Sequence, residues 1–309
     1  MSICAPASQH LGEPLAGTAA TATTWLLVEQ PGPWGAKALT ASHLDPALGA
    51  ALESAAEGTG VRVALIRRPG RHSDAGPDAA RRIYAAHTAP GADWIRTATT
   101  EDPARLLDLD LPALGSGDPR SFDRLPGAAA HSGAPLVLVC TNGKRDRCCA
   151  LLGRPLATEL AESGQGDIWE VTHLGGHRFS PTLLVLPYGY AYGRAAAHTV
   201  KDVLTAVADG HIVLEGCRGS SAWERPGQAA ELAVRATARE TRAGVLRVAR
   251  TEGAAPRWEV TVAHRDGRHW QVTVAQGASL PPRPESCGAA LGTPARMDVV
   301  AVRETAPAS

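Results

Sequence analysis

The decisive stretch reads Cys140-Thr141-Asn142-Gly143-Lys144-Arg145-Asp146-Arg147-Cys148-Cys149 and, after a gap of 23 residues, His173-Leu174-Gly175-Gly176-His177. It follows the apolar run Pro135-Leu-Val-Leu-Val139, and its spacing is C-x8-C followed by H-x3-H. Four soft or borderline ligands gathered by one supersecondary unit suit zinc or an iron-sulfur cluster, and the spacing alone does not choose between them. The glycines help to choose. In a zinc finger the paired histidines share one face of a helix, whereas Gly175-Gly176 favours a tight turn with positive φ. The imidazoles then project from a loop whose backbone approaches a bulky inorganic group, which suits a cluster better than a single ion.

Around these ligands the chain alternates. A strand precedes Cys140 and a helix follows Cys149; next come Ser180-Pro181, an apolar strand from Thr182 to Leu186, a Tyr188-Gly189 turn, a short strand to Tyr192 and a helix from Ala195 to Ala208. The order is β-α-β-β-β-α. Residues 133–213 resemble a thioredoxin-like [2Fe-2S] ferredoxin in which the usual second cysteine pair is replaced by two histidines. Cys140-x8-Cys149 with Arg145-Asp146 inside it, and His173-x-Gly-Gly-His177, resemble the sucrase/ferredoxin-like family; Gly12-Glu-Pro-Leu-Ala-Gly17-Thr18 and Gln30-Pro-Gly-Pro-Trp34-Gly35 are further matches. The resemblance spans roughly residues 4–220 and implies that Cys140, Cys149, His173 and His177 hold a [2Fe-2S] cluster. The doubled cysteine leaves Cys148, with C-x7-C spacing, as the competing ligand.

Bulk composition narrows the remaining classes. The 309 residues suffice for more than one buried core. Thirty-one acidic and 31 basic residues give no net charge, which offers no support for nucleic acid or an anionic membrane as partner. No apolar run approaches a membrane span, and the start, Met1-Ser-Ile-Cys4-Ala-Pro, lacks the basic and apolar regions of a secretory signal. The expected compartment is the cytosol, where six cysteines read as ligands or thiols before disulfides.

Residues 23–112 show the same order of elements: strand Thr24 to Glu29, helix Pro46 to Glu57, strands Val61 to Ile66, Arg82 to His87 and Asp93 to Thr97, then helix Pro103 to Leu107. The Gln30 to Trp34 loop falls where the cysteine loop falls, and Arg67-Arg68-Pro-Gly-Arg71 where the histidine loop falls. The α/β fold class expected is therefore a degenerate thioredoxin-like lobe without metal ligands (1–112), a small, polar, glycine-bearing linker (113–132), a thioredoxin-like ferredoxin lobe (133–215) and a small α+β appendage (216–309). In the appendage, Ser220 to Glu224 reads as a capping box, Trp223 to Arg239 as a helix, and four period-2 runs as strands, with Asp266-Gly267 as a hairpin turn. Whether Cys217 and Cys287 meet is left open.

Plainer readings apply elsewhere. Nine further histidines, His72 among them, carry no ligand spacing, and Lys144, Arg145 and Arg147 read as solvated loop charges or as attraction for an acidic redox partner. Vicinal Cys148-Cys149 is not a C-x-x-C dithiol, and no carboxylate pair is nominated for glycoside hydrolysis. The expected function is electron transfer, with a redox partner protein that the sequence does not name. A structural zinc module and a thiol oxidoreductase are the alternatives, and a glycosidase ranks last. Two ferric ions, two sulfides, two thiolates and two neutral imidazoles sum to zero charge, so an electron enters more easily than with four thiolates. Reduction also raises the basicity of a ligated imidazole. The potential should therefore fall by about 59 mV per pH unit between the oxidised and reduced histidine pKa values. Voltammetry that finds a flat potential across that interval would contradict solvent-coupled histidine ligation.

Overall fold

The two apolar runs that open the halves, Thr24–Glu29 (β1) and Leu136–Cys140 (β6), have buried residues on both faces, which requires a sheet covered on both sides. The computed structural model describes residues 4–70 and 80–305; Arg71 and His72 lie outside the described residues. Helix α1 is Cys4–His10 and α2 is Pro46–Ala56. After α2 come β2 (Val61–Arg67), β3 (Arg81–His87), β4 (Trp94–Thr100), a 3-10 turn at Pro103–Asp108, α3 (Leu111–Gly115) and β5 (Ala129–Ala130). After β6 come α4 (Arg154–Glu162), β7 (Asp167–Val171), β8 (Leu183–Leu186), β9 (Tyr190–Tyr192), α5 (Ala197–Ala208) and β10 (Cys217–Ser220).

Strand order repeats across the halves. In the first, β2 runs parallel to β1, while β3, β4 and β5 follow outward, each antiparallel to its neighbour. In the second, β7, β6, β8, β9 and β10 take the same order and senses. The two sets meet where β2 pairs antiparallel with β7 through Ile66–Val171 and Arg67–Glu170, giving one mixed sheet of ten strands.

A buried ion pair sits on that seam. Arg67 approaches Glu170 at 2.7 Å, with both side chains less than a tenth exposed. Thr141 donates to the same carboxylate at 2.8 Å, and the Arg67 guanidinium lies 4.0 Å from the centre of the Trp34 ring. Burial lowers the Arg67 pKa, and Glu170 opposes that shift. The loop after β1 and the first residue after β6 are thus tied to one point.

One apolar layer, including Trp25, Leu27, Ile66, Leu138 and Trp169, crosses both halves on one side of the sheet. The other side carries two layers, one holding Leu26, Val28, Leu52 and Leu114, the second Val137, Val139, Leu160 and Val203. The alternation of Trp25 and Leu27 against Leu26 and Val28 follows from the period of two along a strand.

Several expectations are corrected by packing. Residues 113–132 are not a free linker: Leu114, Phe122 and Leu125 are buried in the first half's core, and β5 pairs with β4. The chain before β1, assigned to the first lobe, packs on the second. Arg178 bonds Glu13 at 2.7 Å, and Arg194 donates to the Ser8 carbonyl at 3.0 Å. The strand β10, assigned to the appendage, is the outer strand of the large sheet. Ser220 ends that strand, and the helix that follows, α6 (Arg225–Ala238), starts at Glu224 with no side-chain cap, although Pro226 does lie in its first turn. Helix α6 presents Ala229, Ala230 and Val234 to an antiparallel sheet made of β11 (Leu246–Ala254), β12 (Arg257–His264), β13 (His269–Ala278) and β16 (Ala295–Thr305); β14 (Arg283–Pro284) and β15 (Leu291–Gly292) form a separate pair. Asp266-Gly267 turns β12 into β13 as expected.

Removing one member of the seam pair should be costly, because the other stays buried and charged. Glu170→Ala is expected to lower unfolding free energy by about 3–5 kcal/mol, and Arg67→Met with Glu170→Leu by less than Glu170→Ala alone. Urea denaturation of the purified variants measures both.

Candidate metal centre

Cys140 ends β6 and is fully buried. The chain then turns through Asn142, whose side-chain amide donates to the Gly35 carbonyl at 2.9 Å, so the loop after β1 holds the loop after β6. Asn142 Oδ1 accepts from the Lys144 N–H at 3.1 Å. Lys144, Arg145 and Arg147 are exposed while Asp146 is buried. A π-helical turn, Cys149–Gly153, leads into α4. Gly153 is required there because a Cβ would stand 2.3 Å from the Cys140 carbonyl oxygen. Close approach of that turn to the end of β6 brings Cys149 over Cys140, and both belong to the layer that crosses the halves.

The histidine loop comes in from β7. Gly175 and Gly176 have φ of 72° and 69°, the left-handed conformation that glycine adopts without penalty. A Cβ on Gly176 would also lie 2.1 Å from an Arg218 nitrogen. The turn stacks the rings of His173 and His177 with centroids 4.7 Å apart. His177 Nδ1 lies 3.3 Å from Cys149 Sγ, and His173 lies against Cys140. Cys140, Cys149, His177 and His173 are thus neighbours in pairs around a ring, although the group here whose ligand atoms all lie within 4.8 Å of one another is Asp146, Cys149 and His177.

Charge at the site is uneven. A hydrogen bond from the Cys149 thiol holds the Cys140 pKa well below its ordinary value; burial opposes this, and the His173 ring and Leu174 N–H assist it. Cys149 is pushed up in turn by Cys140 and by burial. Burial lowers the His177 pKa, with His173 adding to the effect. Two guanidiniums face the pair. Arg218 is fully buried and its pKa is pushed down to about 10 by burial and by Arg178, while Cys140 opposes the shift. Arg62 is lowered by burial and likewise supported by Cys140. Arg218 donates to the Gly175 carbonyl at 3.1 Å and Arg62 to that of His173 at 3.3 Å, so the two cations also hold the histidine loop.

One atom tests whether these residues fit a metal group. Among the described residues, the buried Nδ1 of His173 has no hydrogen-bond partner. Leaving such a nitrogen unsatisfied costs about 1–3 kcal/mol, a cost that coordination removes. Two thiols and two imidazoles are a donor set for iron-sulfur chemistry or zinc, and a fifth polar group, Asp146, lies within 4.8 Å of the Cys149 and His177 ligand atoms. His173 is half-buried and also borders a cleft of about 1200 Å³, with Arg62, Asn142, Arg145 and Thr172.

The doubled cysteine divides. Cys149 faces Cys140 and His177, whereas Cys148 packs with Cys4 and lies 3.2 Å from Cys287. Cys287 accordingly does not meet Cys217, which is buried in a different layer with Tyr190 and Tyr192. Sequence reading missed Arg62, Arg218 and Asn142 as parts of the site. The one signal for Arg218 was indirect: the Gly17-Thr18 motif contacts it, both N–H groups bonding the Arg218 carbonyl and Thr18 Oγ1 accepting from its Nε at 3.1 Å.

Residues 15–219 match the family model described as sucrase/ferredoxin-like. No curated protein and no solved structure matches the chain. The opposed directions of the vicinal cysteines generate a direct test. If the site holds a metal group, Cys149→Ser should abolish or severely alter it, read as bound metal and visible absorption, while Cys148→Ser should retain most of it; the reverse result would reassign the ligand.

Proposed function

The chain belongs to the sucrase/ferredoxin-like family, and on that premise we propose that it is an electron-transfer protein whose thioredoxin-like second lobe holds a [2Fe-2S] cluster through Cys140, Cys149, His173 and His177. The observation that carries the reading is the convergence of these four side chains with an unpartnered, buried His173 Nδ1. When bound, such a cluster supplies a one-electron couple whose potential is raised by imidazole in place of thiolate.

The chain's own residues have separate tasks in this reading. Cys140 is the thiol predisposed to ionise, since Cys149 hydrogen-bonds it. Arg62 and Arg218 bring positive charge to a buried site, favouring the more negative, reduced state. Leu174, between the histidines in sequence, is buried, and the left-handed turn through Gly175 and Gly176 brings the two rings to one side of the loop. His173 is the exposed edge. Its border on the cleft beside Arg145 makes that cleft the place where a redox partner protein would approach. Among the described residues no helix is long and apolar enough to cross a membrane, and the cytosol is proposed as the compartment.

Anaerobic purification with iron, zinc and acid-labile sulfide analysis tests the assignment. Two irons and two sulfides per chain are expected; stoichiometric zinc at Cys140 and Cys149 in a colourless protein would replace it by a structural module. Arg62→Gln should then lower the reduction potential by an amount on the order of tens of millivolts, since a nearby positive charge is lost, with the iron content unchanged.

A further inference from the structure

On the far side of the Cys148-Cys149 peptide, three thiols from distant parts of the chain meet. Cys4 Sγ lies 3.6 Å from Cys148 Sγ and 3.6 Å from Cys287 Sγ, and Cys148 and Cys287 are 3.2 Å apart. Both oxygens of Asp146 stand 3.8 Å from Cys4 Sγ. Cys4, Asp146 and Cys148 are buried, with Cys287 half-buried. We propose that Cys4, Cys148, Cys287 and Asp146 form a second metal site, a closed tetrahedral site for one Zn²⁺ distinct from the histidine-bearing centre.

All four ligand atoms lie within 4.8 Å of one another, close enough to share one ion. Zinc-thiolate bonds of about 2.3 Å set sulfur-sulfur edges of about 3.8 Å, and zinc-carboxylate bonds of about 2.0–2.2 Å set sulfur-oxygen edges of about 3.5 Å. The distances here fall within a few tenths of an ångström of those values, apart from the shorter Cys148–Cys287 edge. A disulfide, with sulfurs about 2.0 Å apart, would use two of the three thiols and leave the third and the carboxylate unexplained. Asp146 is already oriented as ligating carboxylates are: its oxygens accept from the backbone N–H groups of Cys148 and Cys287, each at 2.8 Å. The Ala5 N–H bonds the Cys148 sulfur, as thiolate ligands require when buried. On binding, three thiol protons pass to solvent and no electron moves.

Such a site would staple α1 and the loop between β14 and β15 to the cysteine loop, fixing Cys149 from behind. It stands independently of the cluster reading, since it uses none of the four proposed cluster ligands.

The test is elemental analysis of the full-length protein as purified, with the zinc-loaded protein titrated against a chromophoric chelator. Wild type should hold one zinc per chain besides any iron, and Cys287→Ser and Cys4→Ser should each lose that zinc while keeping the iron and visible spectrum. Cys287→Ser alters a half-buried loop, so it remains interpretable if Cys4→Ser fails to fold. Co²⁺ in place of zinc should give the intense ligand-field bands of tetrahedral thiolate coordination, absent from Cys287→Ser. A wild-type protein that takes up no zinc or cobalt overturns the proposal, as does zinc lost by Cys140→Ser but kept by Cys287→Ser, or a Cys148–Cys287 disulfide found by mass spectrometry of the freshly purified protein. Loss of iron with zinc retained in a Cys140→Ser variant would support this site whatever becomes of the cluster assignment.

Discussion

The buried pairing of Arg67 with Glu170 sets the geometry on which the site depends. Two charges taken from water gain little net stability over an apolar replacement, but they tolerate no mismatch. A one-residue slip of β2 against β7 would put the two on opposite faces of the sheet. Glu170 also accepts from Thr141, the residue after Cys140, and Arg67 covers Trp34 in the loop that holds Asn142. The contact that joins the halves therefore also fixes where the cysteine loop begins. In this arrangement the first half, which offers no metal ligand among its described residues at the corresponding loop, contributes position instead.

Backbone proximity does the next part. The Gly153 turn and the Gly175-Gly176 turn are both places where a side chain would collide, in one case with a carbonyl and in the other with a buried arginine. The first could not be relieved by rotating a side chain, and at the second the positive φ of Gly176 adds strain to any Cβ. They let a helix end and a loop approach the tip of β6 from two directions, and the four candidate ligands meet in the space between.

Electrostatics then distinguishes side chains that the sequence presents as alike. Cys140 and Cys149 touch, so one is lowered and the other raised. Cys148, one residue away, is among sulfur and carboxylate neighbours, and burial pushes its thiol up to about 11. Arg62 and Arg218 supply positive charge only on the histidine side and bond the carbonyls of His173 and Gly175. The environment that favours a thiolate is thus at Cys140, at the end of β6, while both members of the vicinal pair are raised, Cys149 by Cys140 and Cys148 by burial.

Much of this was legible in the chain itself because it is local. Alternating apolar residues gave the strands, Asp266-Gly267 the hairpin, and Gly175-Gly176 the turn between the histidines; ligand spacing with a family-like motif nominated Cys140, Cys149, His173 and His177. The repeated β-α-β-β-β order was also readable, since it depends on periodicity. What depends on distant contact was not. Nothing near Cys4 or Cys287 indicates that they meet Cys148, nothing in residues 113–132 shows that Phe122 enters a core, and a serine-rich approach to α6 looks like a cap until β10 claims it for the sheet. Cys148 and Cys149 are equal candidates by composition. Their difference arises from the direction in which a π-helical turn presents successive side chains, and that direction is set only when the turn packs on β6.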